Sequence, residues 1–201
     1  MNNIIEYFKK SNSYQATSTD GLNIFNSLTD FYIDNNIYPK YPMFLSLLIT
    51  SNCNGHCLFC SCDSKRPQFE EDSVNPILYK RLKELSYECS PLVISLCGGE
   101  PMLYPNRCVK YLEIFKETKT IFSILSNLSL DLNRERLHLI NILEQQPFSF
   151  IQTSIDSMNE SEHRILRKGT ELSKILSNIK LLQKKNIKIK VNTTVSQYNY
   201  K

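Results

Sequence analysis

No run of residues in this chain is long and apolar enough to cross a membrane, which removes a spanning helix from the reading. The short apolar stretch within Met1–Lys10 is interrupted by Glu6, so it lacks the unbroken core of a secretory leader. A basic run is missing too. The formal charge is only +4, and the lysines and arginines are spread along the chain, the pattern of solvated faces rather than of a nucleic-acid footprint. Also absent is a second C-x2-C pair, the usual partner of a first one in a zinc ribbon. These absences point to a cytoplasmic chain that binds neither membrane nor nucleic acid. In a reducing compartment its seven cysteines serve metals more often than disulfides.

What is present is a chain of 201 residues, 41% hydrophobic, enough for one domain with a substantial core. Its most informative stretch is Cys53-Asn54-Gly55-His56-Cys57-Leu58-Phe59-Cys60, directly after the apolar run from Met43 to Ile49. Three cysteines in a C-x3-C-x2-C spacing place three soft thiolates on one loop, a donor set suited to an iron–sulfur cluster or to zinc. A structural zinc wants four ligands, and His56 or Cys62 would complete the set. Of the other cysteines, Cys89 and Cys108 read as small buried residues, while Cys97 sits at a strand end.

From Met43 onward, apolar runs of strand length alternate with helical periods. The strands fall at Met43–Thr50, Leu92–Cys97, Thr120–Ser126, Phe148–Ile155 and Ile187–Val195. The helices fall near Pro76–Tyr87, Pro105–Lys116, Asn133–Gln145 and Thr170–Lys185. In the last helix Leu172, Ile175, Leu176, Ile179 and Leu182 share one face. Such alternation predicts parallel βαβ units with right-handed crossovers, curving into a barrel or part of one. Residues 1–42 read as a separate helical extension of two helices, closed by the two prolines of Tyr38-Pro39-Lys40-Tyr41-Pro42. Asn159 and Glu162 have the form of a helix capping box, with Gly169 as the stop. His163, His138 and Arg164 read as helix-surface residues.

Polar residues gather at the C-terminal ends of the predicted strands, the edge where parallel barrels assemble their sites. After the first strand comes the cysteine loop, and after the second Cys97-Gly98-Gly99-Glu100-Pro101. The third ends in Ser126-Asn127 and the fourth in Gln152-Thr153-Ser154-Ile155-Asp156. The fifth carries Asn192 and Thr194, with Asn199 beyond. Strand alternation puts Gln152, Ser154 and Asp156 on one face, and Lys188, Lys190, Asn192 and Thr194 on one face of the last strand. Taken alone, Gly-Gly-Glu-Pro is a tight turn and Ser-Asn is turn chemistry.

Together, the C-x3-C-x2-C loop with an aromatic before its third cysteine, the GGEP segment some forty residues later and the V-N-x-x-V…N pattern at Val191–Asn199 resemble the core of the radical SAM superfamily. The resemblance runs from about Leu45 to Asn199 and feels nearest to the peptide-modifying SPASM-type members. It implies a partial (β/α)6 TIM-like barrel of parallel strands, cut short after the fifth strand, with 1–42 as an extension and 43–201 as the core. It implies that Cys53, Cys57 and Cys60 hold a [4Fe-4S] cluster whose open iron takes S-adenosylmethionine, and that Phe59 shields it. Gly98, Gly99, Glu100 and Pro101 are then expected at the amino group, and Ser126, Asn127, Ser154, Asp156, Asn192 and Arg167 at the ribose or carboxylate. The implied activity is reductive cleavage of S-adenosylmethionine to a 5′-deoxyadenosyl radical that modifies a peptide or small molecule. A reductant such as flavodoxin or ferredoxin would serve it, with a second chain completing the barrel as a further expectation. The alternatives are a partner-dependent binding module without turnover and a small zinc protein.

Overall fold

A computed structural model describes residues 34–35, 42–60, 70–89, 91–118, 120–146 and 148–200. The contact pattern divides the chain into two units, Met1–Lys40 and Tyr41–Lys201, and the sheet and its helices belong to the second. The two helices expected within residues 1–42, and Cys62, lie outside the described residues.

Five parallel strands form one sheet: β1 (Phe44–Thr50), β3 (Val93–Gly98), β4 (Ile121–Leu125), β5 (Phe150–Ser154) and β7 (Lys188–Asn192), ordered β1-β3-β4-β5-β7. Spatial order follows chain order, so right-handed crossovers place every connecting helix on the same face. That is the winding of a barrel, here an open one, since the sheet does not close among the described residues. The helices are α1 (Pro76–Glu88), α2 (Pro105–Glu113), α3 (Arg134–Gln145), α4 (Glu160–Leu166) and α5 (Leu172–Lys184). Their starts are chemically marked. Asn75, Asn133 and Asn159 accept hydrogen bonds from the first free N–H groups of α1, α3 and α4, and Pro76 and Pro105 occupy first-turn positions where no donor is needed. Asp72 caps α2 from outside it, accepting from Asn106 N at 3.0 Å and Arg107 N at 2.8 Å.

Alternation along the strands sorts the two faces. Ile94, Leu96, Phe122, Ile124 and Ile151 are fully buried toward the helices, where they meet Leu112, Phe115, Leu139, Leu143, Ile175 and Leu182. Residues of the opposite parity, from Ser46 through Ser95, Ser123 and Phe150 to Lys188, form a registered row across the other, more open face. Two strands of two residues each, β2 (His56–Cys57) and β6 (Arg167–Lys168), pair antiparallel away from the main sheet.

Two expectations change. His163, expected on the surface, is fully buried: it shares a face of α4 with buried Leu166, three residues on, and its Nε2 lies 2.9 Å from Thr170 Oγ1. The capping box at Asn159 is half formed. Asn159 accepts from Ser161 N and Glu162 N, but the Glu162 carboxylate takes the Ser157 hydroxyl at 2.6 Å, and Asn159 N donates to that same serine oxygen.

Candidate functional site

The cysteine loop is fastened on three sides, beginning at the end of β1. There Gly99 N donates to Thr50 O and Glu100 N to Asn52 O, both at 2.8 Å, so the Gly-Gly-Glu turn after β3 lies backbone to backbone against the residues leading into Cys53. Only glycine permits this approach. A Cβ on Gly99 would stand 2.1 Å from Asn52 O, and Gly98 has φ of +129°. Asn52 is held in turn by Glu70 at 3.1 Å and Tyr104 Oη at 2.6 Å, and Thr50 donates to Glu70 at 2.8 Å. Buried Arg107 pairs with Glu70, bonds Glu71 O and donates to Ile49 O, locking the strand exit to α2.

The second side is the end of β4. Glu100 is fully buried, and both its oxygens are engaged. Oε1 accepts from Met102 N at 3.0 Å and Ser126 Oγ at 2.8 Å, and Oε2 accepts from Asn127 N at 2.7 Å. Burial pushes its carboxyl above the usual range, against the pull of those hydrogen bonds. The side chain of Asn127 reaches onward to Asn54 Oδ1 at 2.8 Å and to Cys53 Sγ at 3.8 Å. Asn178, buried on α5, holds the following loop by donating to Leu128 O and Leu130 O at 2.8 Å each.

The third side is the β2–β6 ribbon, in which Cys57 lies opposite Arg167 and His56 opposite Lys168, with Leu58 N donating to Leu166 O at 2.9 Å. A Cβ on Gly169 would meet Asn54 O at 2.6 Å, so here too the backbones nearly touch. The Arg167 guanidinium forks onto buried Asp156 at 2.6 and 3.3 Å, points Nη1 at Cys57 Sγ at 3.5 Å, and lies 5.6 Å from the centre of the Phe59 ring. Asp156 also accepts from Thr194 N at 2.8 Å, while Asn199 donates to Asp156 O at 2.6 Å. Ser154 and Asn192 are register partners at the ends of β5 and β7.

The sequence-predicted residues therefore fall into three groups. Cys53, Cys57, Phe59, Gly98, Gly99, Glu100, Pro101, Ser126 and Asn127 lie in one assembly around the loop, and Cys60, exposed at the loop's end, donates its N–H to Cys57 O at 3.2 Å. Asp156 and Arg167 are engaged with each other. Ser154 and Asn192 stand at the strand ends with side chains on the open face. Glu70, Arg107, Tyr104 and Asn178 were missed, because their partners lie far away in the chain and no local spacing announces them.

In chemistry, three thiols on one loop are a donor set that suits an iron–sulfur cluster. Cys53 is buried, Cys57 half-buried and Cys60 exposed, so the set runs from the loop's interior to its outer side. Burial pushes the Cys53 thiol up to about 11 and raises Cys57 as well, although Gly55 N donates to Cys53 Sγ and Arg167 to Cys57 Sγ. As free thiols they are poor nucleophiles at neutral pH; as metal ligands they would be deprotonated outright, with N–H donors already aimed at the sulfurs. Among the described residues no three His, Cys, Asp or Glu side chains converge tightly enough to grip a single ion. A cube, which takes one thiolate at each of three corners, asks for wider spacing.

Comparison with known proteins shows the family. Residues 47–198 match the model of the radical SAM superfamily, and the chain belongs to that family. Members of the family use a [4Fe-4S] cluster and S-adenosylmethionine. A GTP 3′,8-cyclase of Rhizobium etli is 27% identical over 157 residues, 74% of this chain and 42% of that enzyme. In fold the chain is similar to Streptococcus suis SuiB bound to its precursor peptide SuiA, with a TM-score of 0.61 at 16% identity over 93% of this chain and 41% of SuiB. It is also similar to anSMEcpe with bound AdoMet and a peptide, with a TM-score of 0.56 at 19% identity over 74% and 41%. The chain thus spans less than half the length of the cyclase, SuiB and anSMEcpe. No helix among the described residues is long and apolar enough to cross a membrane.

Proposed function

We propose that this chain is the core of a radical SAM enzyme that cleaves S-adenosylmethionine reductively in order to modify a peptide. The observation that carries the reading is the way the cysteine loop is fastened: the Gly99–Glu100 turn bonds to the residues that lead into it, and the Arg167 ribbon bonds to the loop itself. A cofactor held by the turn would therefore sit beside a cluster held by the loop. Cys53, Cys57 and Cys60 would hold three irons, leaving the fourth for S-adenosylmethionine. When bound, the pair supplies one electron to a sulfonium bond and a 5′-deoxyadenosyl radical that takes hydrogen from the substrate.

The protein's own part is positional. Gly98, Gly99 and Pro101 present backbone at the amino group, and Glu100 keeps that turn in place. Ser154 and Asn192 offer hydroxyl and amide groups to the ribose or carboxylate from the open face. Asp156 orients Arg167, and Phe59 with the Arg167 guanidinium screens the Cys57 side from water. The likeness in fold to two peptide-bound enzymes supports a peptide substrate, and the reductant is an external one-electron donor such as flavodoxin or ferredoxin. One observation favours a second reading, a module that needs another chain: among the described residues the outer edge of β7 is unpaired.

Anaerobic reconstitution with iron and sulfide, then dithionite and S-adenosylmethionine, tests both. The first reading expects 5′-deoxyadenosine and methionine in equal amounts. Cofactor binding without cleavage selects the second, and zinc with neither iron nor sulfide in anaerobically purified protein defeats both.

A further inference from the structure

We infer that the open face of the sheet reads an acidic, extended peptide through Lys188 and Lys190; the inference rests on the proposed peptide-modifying activity and names its substrate class. Both lysines share the parity of the open-face row, in register with Phe150 and Gln152 of β5. Both lie toward solvent, and neither forms an ion pair among the described residues. Their ammonium groups lie over aromatic rings, Lys190 Nζ 3.6 Å from the centre of Phe150 and Lys188 Nζ 5.1 Å from that of Phe148. Such contacts hold the charges along the sheet. Across the rest of that face the strands place serines, apolar side chains, Cys97 and Gln152, and not one acidic residue. Nearby Asp156 is already neutralised by Arg167.

The open face that runs toward the proposed radical source is therefore cationic along its β7 edge, with its countercharge not supplied by the five strands. A peptide carboxylate supplies it. Two residues along a strand span about 6.6 Å, which is also the spacing of alternate side chains in an extended peptide. Acidic residues at positions i and i+2 of the substrate thus match Lys188 and Lys190 one to one. Exposed Leu48, across the sheet on β1, offers an apolar end to the same surface.

The test is fluorescence anisotropy with labelled twelve-residue peptides that carry Glu-Ala-Glu, Gln-Ala-Gln or Lys-Ala-Lys in an otherwise neutral sequence. The reconstituted protein is expected to bind the acidic peptide about three- to thirtyfold more tightly than the Gln peptide, a preference that shrinks with added salt. In K188Q/K190Q the preference disappears, and in K188E/K190E it turns toward the Lys peptide. Equal binding of Glu and Gln peptides by the wild type, or a preference that survives K188Q/K190Q, overturns the inference. Cleavage of S-adenosylmethionine is measured separately on the wild type, so failure there strikes the proposed activity and leaves the peptide result to be judged alone.

Discussion

Glu100→Gln preserves the side-chain shape and removes the charge. The wild-type carboxylate accepts from Met102 N and Ser126 Oγ on one oxygen and from Asn127 N on the other. An amide has one acceptor oxygen, so its NH2 must face Asn127 N–H in one orientation, or Met102 N–H and the serine in the other. Even the better orientation loses a charge-assisted bond and strands a buried donor, a penalty of about 2–4 kcal/mol. Relief from burying a charge returns part of that, leaving a net loss of about 1–3 kcal/mol. With a typical urea slope of about 2 kcal/mol per molar, the midpoint should fall by roughly 0.5–1.5 M. The pH dependence follows from the raised carboxyl. Above its ordinary pKa the unfolded chain ionises first, so the wild type loses stability as pH rises and glutamine does not. The gap between the two is therefore wider near about pH 5 than near about pH 7.5. Urea unfolding followed by circular dichroism measures both effects, and equal midpoints at both pH values would refute the claim that this carboxylate knots β3 to β4.

Three further outcomes are expected. Arg167→Met removes a cation and a donor from Cys57 Sγ, so the midpoint potential of the reconstituted cluster should fall by roughly 40–90 mV, the one-electron equivalent of about 1–2 kcal/mol; a redox titration followed by EPR that shows no shift contradicts this. Gly99→Ala drives a Cβ into Asn52 O and should cost about 2–4 kcal/mol together with much of the bound iron, so wild-type iron content and stability would count against the tight turn. His163, whose pKa burial lowers first and Arg167 second, stays neutral in the fold while the unfolded chain takes up a proton. Stability is therefore lost as pH falls below about 6.5, and His163→Phe should flatten that slope in pH-dependent unfolding.

The main sheet was legible because each parallel strand carries its own alternation and each helix its own start, as with Asn75-Pro76, Tyr104-Pro105 and Asn133. The cysteine loop and the GGEP turn were legible because their chemistry is compressed into a few consecutive residues. The β2–β6 ribbon was not, since two-residue strands have no period to detect. Arg167 illustrates the limit. No local pattern announces that its guanidinium lies on Asp156, eleven residues back, and beside Cys57, 110 residues back. Arg107 pairs with Glu70, 37 residues away, and no local pattern signals such a partner. His163 was misplaced because a seven-residue helix is too short for its buried face to be read from periodicity.

On the proposed reading, Cys53, Cys57 and Cys60 would hold the cluster and leave one iron for S-adenosylmethionine. Electron–nuclear double resonance on the reduced, reconstituted protein with S-adenosylmethionine carrying nitrogen-15 at its amino group tests it directly. Strong hyperfine coupling of that nitrogen to the cluster, abolished in Cys57→Ala, is the predicted result. A reduced cluster whose spectrum is indifferent to the labelled cofactor would contradict it.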